Sequence, residues 1–251
     1  MPKIFASEHV YSYKHYTFGY TIYAQRINSE PIENIYESGF LPYTGEYKSD
    51  IQNLYYMARS ARIQTKTFTL SSENRRIIKK FQSYEFIIKE YNASTFIKNE
   101  VMLEFCLDYF NKRHGPNTMT KERLVRILSY SKEINIVEYT NKETRKPCAY
   151  VIEIQGETIS HYWFSFYDLS LTYLSFGMWL MLDRTINAQN TKKQYYYIGT
   201  VYGDKALYKT NLPSLEYWNG QSWVINTPLL KKRARTDLDR NVNQIDEFKE
   251  I

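Results

Sequence analysis

The sequence predicts an α+β fold in which one mixed sheet carries helices on both faces. Three observations lead there. Short runs rich in aromatic and β-branched residues alternate with runs of helical period, in an order that no internal repeat explains. The 251 residues, 43% of them apolar, suit one large domain or two small lobes. Gly and Pro number only 9 and 7, which excludes collagen-like and low-complexity architectures. The chain also holds 25 Tyr. Ile, Asn and Lys are abundant with it, a pattern codon bias produces, so the Tyr count alone is no nucleic-acid signal.

Taken in order, residues 17–27 (TFGYTIYAQRI) read as a strand. Residues 32–48 carry turn signals at Gly39, Pro42 and Gly45 and read as loop with short strands. Residues 54–70 alternate around Ile63, Thr65, Thr67 and Thr69, as a strand with one wet face does. Ser71-Ser72 can cap the helix that follows, whose apolar stripe is Ile77, Ile78 and Phe81. A strand is expected at 84–91 and a helix over 95–113, ended by Gly115-Pro116. A second helix starts near Thr120. Strands at 135–140, 147–155 and 158–167 follow, the last two joined at Gly156. An apolar helix covers 170–188, a strand 194–201, and Asn219-Gly220 turns a hairpin. The tail from 231 has six basic and five acidic residues and reads as a solvated, partly helical end. Grouped as domains, these give an N-terminal lobe (1–90), a core (91–230) and the tail (231–251).

The formal charge of +6 favours an anionic partner. Between Arg59 and Lys80 seven basic residues face one acid, Glu73, so this strand–helix unit is the electropositive spot. Its helix start, with Ser72, Arg75 and Arg76, could hold a phosphate through backbone amides and bidentate donors. A basic amphipathic helix facing water would look the same. Two cysteines, Cys106 and Cys148, cannot build a disulfide framework and fit a reducing compartment. The N-terminus has no apolar signal region and no apolar stretch is long enough to span a bilayer. The expected location is the cytoplasm, with no membrane partner.

Common catalytic signatures are missing. The sequence has no GxxxxGK[ST], GxGxxG, HExxH, CxxC or GxSxG, and its four histidines are scattered. No metal and no cofactor is therefore expected. A polar cluster remains: Tyr167, Asp168, Tyr197, Tyr208 and Lys209 lie at or just beyond strand ends, where α/β sheets commonly place ligands. Tyr hydroxyls capping a core beside a solvated lysine would give the same pattern.

The block from HYWFSFYDLS to YGDKALYKTNL resembles the C-terminal half of the arginyl-tRNA–protein transferases, a group that includes the bacterial leucyl transferases. The matching positions are Tyr167-Asp168, Ser175-Phe176-Gly177, Tyr197-Ile198-Gly199 and Tyr208-Lys209. Upstream, Gly39-Phe40, Arg62 and Ser71 through Arg76 are similar to the family's N-terminal section. The resemblance implies a GNAT-like acyltransferase sheet. It also implies transfer of Arg or Leu from aminoacyl-tRNA to a protein N-terminus, one beginning with Asp or Glu, as a degradation signal. Tyr167, Asp168 and Tyr197 would be catalytic. Arg62, Ser72, Arg75, Arg76, Ser175, Gly199, Tyr208 and Lys209 would bind substrates. The chain departs from the family in having no N-terminal cysteine cluster, in Ala61 before Arg62, and in Glu73-Asn74 at the helix start. Two rivals stand beside this reading: an acyl-CoA-dependent N-acetyltransferase of the same fold, and a non-catalytic binder of tRNA or acidic N-termini. The single glycine in SLTYLSFGMW weighs against a CoA pyrophosphate turn.

Overall fold

A computed structural model describes residues 2–12, 17–27, 30–45, 53–116 and 118–237. In chain order the first elements are β1 (Lys3–Ser12), β2 (Thr17–Gln25), α1 (Ile32–Glu37), β3 (Phe40–Pro42), β4 (Leu54–Met57) and β5 (Ser60–Gln64). Next come α2 (Ser72–Lys80), β6 (Phe86–Asn92), α3 (Ala93–Ile97), α4 (Glu100–His114), α5 (Lys121–Leu128), β7 (Ile134–Asn141), β8 (Pro147–Gln155) and β9 (Ile159–Tyr167). The last are α6 (Phe176–Asn190), β10 (Tyr195–Thr200), β11 (Leu215–Trp218), β12 (Trp223–Val224) and α7 (Thr227–Thr236), with 3-10 turns at Thr65–Thr67, Leu169–Leu174 and Asp204–Asn211. The chain forms two compact units, residues 1–63 with 199–251 and residues 64–198. Neither follows the sequential boundaries at 90 and 230.

In the 64–198 unit, β6, β7, β8 and β9 run antiparallel in that order and β10 joins β9 in parallel. The sheet is therefore mixed. Strand alternation puts Tyr150 of β8 and its partner Phe166 of β9 on one face and Tyr139, Ala149 and Tyr167 on the other. Phe96, Phe105 and Tyr109 pack against the first face, which places α3 and α4 there. Phe176 and Trp179 pack against Tyr167 and Tyr139, which places α6 on the second. Helices on both faces of a mixed sheet are the α+β architecture the sequence predicts.

The 1–63 and 199–251 unit carries a second antiparallel sheet, with β2 between β1 and β4 and β3 beyond β4. In the same unit β11 pairs with β5 and β12. A Cβ on Gly39, which has φ +80°, would meet the Trp218 indole at 2.3 Å. Only glycine fits that close approach.

Several elements differ from expectation for local reasons. Residues 32–37 form a helix where loop and short strands were expected, because Ile32, Ile35 and Tyr36 share a helical face and are buried. The run 54–70 is cut by a tight Ala58 to Ser60 turn, the Ser60 N–H donating to Ala58 O at 2.8 Å, and ends in a 3-10 turn at Thr65–Thr67. The helix over 95–113 is two helices, since the Asn99 side chain accepts from Met102 N–H and starts α4 anew. The helix expected at 170–188 begins as a 3-10 turn over Leu169–Leu174 and becomes α-helical only at Phe176. The strand β1 was not anticipated. The tail is helical through Thr236, and the rest of it, 238–251, lies outside the described residues. The cap at Ser71 is as predicted: its Oγ accepts from Asn74 N–H while Asn74 Oδ1 accepts from Ser71 N–H.

The apolar helix α6 buries one charged side chain. Arg184 Nε and Nη2 donate to Glu153 of β8 at 3.0 and 2.8 Å, and the Tyr196 hydroxyl of β10 donates to Glu153 at 2.6 Å. Arg184 and Glu153 side chains are 4% and 1% exposed. Removing one partner strands a charge in the core, so Arg184→Met should lower unfolding free energy by about 3–5 kcal/mol. Chemical denaturation checks this; a loss below about 1 kcal/mol would show that the pair does not anchor the helix.

Candidate active site

In the 64–198 unit, β9 and β10 pair only at Ile159↔Tyr195, Ser160↔Tyr196 and His161↔Tyr197. β9 then continues to Tyr167 on β8 alone. Parallel strands that part this way open a cleft between them, and such a cleft can receive an extended ligand. Tyr167 closes β9, and Asp168 follows at once. The exposed Asp168 carboxylate accepts from Ser170 N–H at 2.9 Å and so caps the 3-10 turn.

That turn delivers the chain to α6 through Ser175, whose φ of +68° and ψ of +40° are left-handed. A non-glycine residue there carries strain of about 1–3 kcal/mol, a feature that concentrates at functional sites. The first two residues of α6, Phe176 and Gly177, lie against the Tyr167 side chain. A Cβ on Gly177 would meet the Tyr167 hydroxyl at 2.8 Å. Tyr167 packs at a tilt against Tyr109 of α4, 4.9 Å between centroids, and edge-on at 5.8 Å against Phe176, so two rings brace its phenol. Tyr167, Asp168, Ser175 and Gly177 thus gather where β9 gives way to α6. Tyr197 is fully buried and faces no solvent, and its place is in the core of this unit.

The basic helix start belongs to the same unit. Arg75 Nη1 donates to Leu70 O at 2.6 Å and Nη2 reaches Ser72 Oγ at 3.4 Å, folding the guanidinium over the first turn of α2. Arg76 pairs with Glu73 at 2.7 Å. Both arginines and Ser72 are exposed. Arg75 therefore remains open to a phosphate with only neutral partners to exchange, whereas Arg76 has a carboxylate to leave.

In the other unit, Arg62 of β5 is 3% exposed. Its Nε and Nη1 donate to Glu216 and Glu37 at 2.7 and 2.8 Å, and its guanidinium lies 4.1 Å over the Trp223 ring. Two carboxylates and an indole make Arg62 a brace of its own unit. Gly199 has φ +78°, a conformation that a side chain would disfavour. Tyr208 is 44% exposed. Lys209 is half-buried, and its Nζ donates to Thr200 O at 2.9 Å. With no carboxylate among the described residues to offset the loss of water, burial pushes its pKa down to about 8. From the sequence alone this lysine reads as a solvated or phosphate-pairing cation. No motif signals its desolvation.

Both cysteines are buried and unbridged, and burial pushes the Cys148 thiol up to about 12. Among the described residues no cluster of His, Cys, Asp and Glu could hold a metal ion, and no helix is long and apolar enough to cross a membrane.

No protein-family model matches the sequence, and no curated protein matches it. Solved structures do show likeness. The C-terminal domain of a protein described as a lysylphosphatidylglycerol synthetase from Agrobacterium fabrum is 11% identical, with TM-score 0.44 over 61% of this chain and 49% of that one. L-PGS from Bacillus licheniformis is 12% identical, with TM-score 0.42 over 57% and 44%. FemX is 6% identical, with TM-score 0.43 over 80% of each chain. The chain thus spans about half the length of the first two structures it matches.

The Lys209 environment makes a signed prediction. Unfolded, the amine titrates near its ordinary value; folded, it releases its proton near pH 8. Between pH 8 and about 10.5 the unfolded chain therefore binds more protons, and stability contributed at this site rises with pH. Denaturation of wild type and Lys209→Met across that range should show wild type gaining on the variant. A constant difference would contradict the shift.

Proposed function

We propose that the chain is a GNAT-like aminoacyltransferase that moves an amino acid from aminoacyl-tRNA to an amine. The observation that carries this reading is the parting of β9 and β10 after three register pairs, with Tyr167 and Asp168 where β9 meets the strained start of α6. An aminoacyl ester is already activated, so positioning and proton removal from the amine are the main tasks. In this reading the exposed Asp168 carboxylate pairs with the incoming amine, and the braced Tyr167 hydroxyl donates to the ester oxygen as charge develops there. Ser72, Arg75 and Ser175 line the same unit as donors to the aminoacyl end. Tyr208 and protonated Lys209 bind a phosphate of the tRNA, and Arg62 braces β5 through Glu216, Glu37 and Trp223. The resemblance in the sequence supports Arg or Leu as the transferred residue. It likewise supports a protein N-terminus beginning with Asp or Glu as acceptor, with a degradation signal as the product. No cofactor enters the reaction.

Total charged tRNA bearing labelled amino acids, incubated with the protein and a panel of peptides, should yield labelled peptide. The label should appear first on peptides with N-terminal Asp or Glu. Asp168→Asn should lower the rate about 100-fold or more while the protein stays folded. Labelled acetyl-CoA serving as donor in place of charged tRNA, or no product from any donor, would overturn the reading. The tRNA contact has its own signature. Affinity should fall as pH rises through about 8, where Lys209 loses its charge, and should fall steeply with salt. Lys209→Met should remove the pH step; a step that persists in the variant would exclude this lysine.

A further inference from the structure

Within the unit of residues 1–63 and 199–251, one anionic group of the chain sits in a cradle of donors. Arg59 Nη2 donates to both Asp237 carboxylate oxygens, at 2.6 and 2.7 Å. The Gly203 N–H donates to Asp237 Oδ2 at 2.9 Å. The Arg59 guanidinium lies 4.3 Å over the Tyr202 ring, and the Arg59 N–H donates to the Tyr202 hydroxyl at 2.8 Å. A planar cation held flat by an aromatic ring, joined by a turn amide, is an arrangement that suits an oxyanion.

Three features suit an exchangeable anion better than a fixed strut. Gly203 has φ +68°, and a Cβ built on it meets nothing within 4 Å, so there is room beside the amide. Tyr202 is 49% exposed, so one wall of the cradle borders water, while the Arg59 and Asp237 side chains keep 10% and 12% of their surface exposed. Asp237 lies just past the end of α7, whose anchors Leu230 and Ala234 are fully buried farther in. The carboxylate can therefore leave by fraying of the last turn while the helix stays docked.

We propose that Arg59, Tyr202 and Gly203 form a binding subsite for a phosphate group, and that Asp237 fills it as an internal stand-in. A phosphate would supply the two oxygens that now take these bonds and a third for the open side at Gly203. The proposal does not depend on the transferase reading.

The test measures binding of two probes, inorganic phosphate and a short single-stranded oligonucleotide, to wild type, Asp237→Asn and Arg59→Ala/Asp237→Asn. An internal carboxylate competes at an effective concentration of roughly millimolar or more, so Asp237→Asn should bind at least one probe about tenfold more tightly than wild type. The double variant should lose that gain. A gain for phosphate assigns the site to free phosphate, and a gain for the oligonucleotide alone assigns it to a nucleic-acid backbone. Equal affinities in wild type and Asp237→Asn, or an undiminished gain in the double variant, would overturn the subsite. If Asp237→Asn does not fold, wild type still answers. A probe that displaces Asp237 should speed amide hydrogen exchange at the C-terminal end of α7, and exchange unchanged at saturating concentrations of both probes would overturn it.

Discussion

The buried contact of Arg184 with Glu153 fixes the geometry on which the proposed chemistry depends. It joins α6 to β8, and the Tyr196 phenol of β10 donates to the same carboxylate. A guanidinium so far from water is tolerated only because both carboxylate oxygens meet it. Asp183, next along α6, adds a link to β7 by accepting from the Tyr139 hydroxyl at 2.5 Å. Its carboxyl is held above the usual range by burial. Tied to β7 and β8 through two adjacent residues, α6 has little freedom of tilt. Its start must then meet the end of β9 at a set distance, which is why Gly177 lies against the Tyr167 phenol and Ser175 takes a left-handed backbone.

Around that joint the packing is aromatic. Phe81 of the segment after α2 stacks on Phe176 at 5.1 Å and packs at a tilt against Trp179 at 5.2 Å. Phe86 of β6 stacks on Phe176 at 5.8 Å and packs at a tilt against Trp179 at 5.0 Å. Rings of this size fill space with few rotatable bonds, so they hold a strained turn in place at low entropic cost. The basic start of α2 is thereby carried on the same rigid cluster as Tyr167 and Asp168. This gives the abundance of aromatic residues a structural use, whatever its compositional origin.

The architecture was legible from period and punctuation. The strands at 135–140, 147–155 and 158–167, the Ser71 cap and the Gly115 stop all report local preferences that tertiary packing did not override. The misreadings were equally local. Asn99 looks like an ordinary helix residue until its side chain caps a new helix. Ile32, Ile35 and Tyr36 lie among turn residues that conceal a single helical turn. At the candidate site, Tyr167 and Asp168 could be picked out because they end a strand. The burial of Tyr197, the two carboxylates and indole around Arg62, and the lost hydration of Lys209 are products of tertiary structure. No spacing rule encodes them. In the sequence Arg59 is one cation of a positive run; its carboxylate partner lies 178 positions away.

The central claim is that the opening beside β9 and the start of α6 receive the aminoacyl end of the donor. A photoreactive aminoacyl-adenosine, cross-linked to the protein and located by mass spectrometry, tests this directly. The account predicts adducts confined to residues 162–177, suppressed by an excess of charged tRNA and left in place by acetyl-CoA. Adducts distributed elsewhere, or suppressed by acetyl-CoA alone, would contradict it.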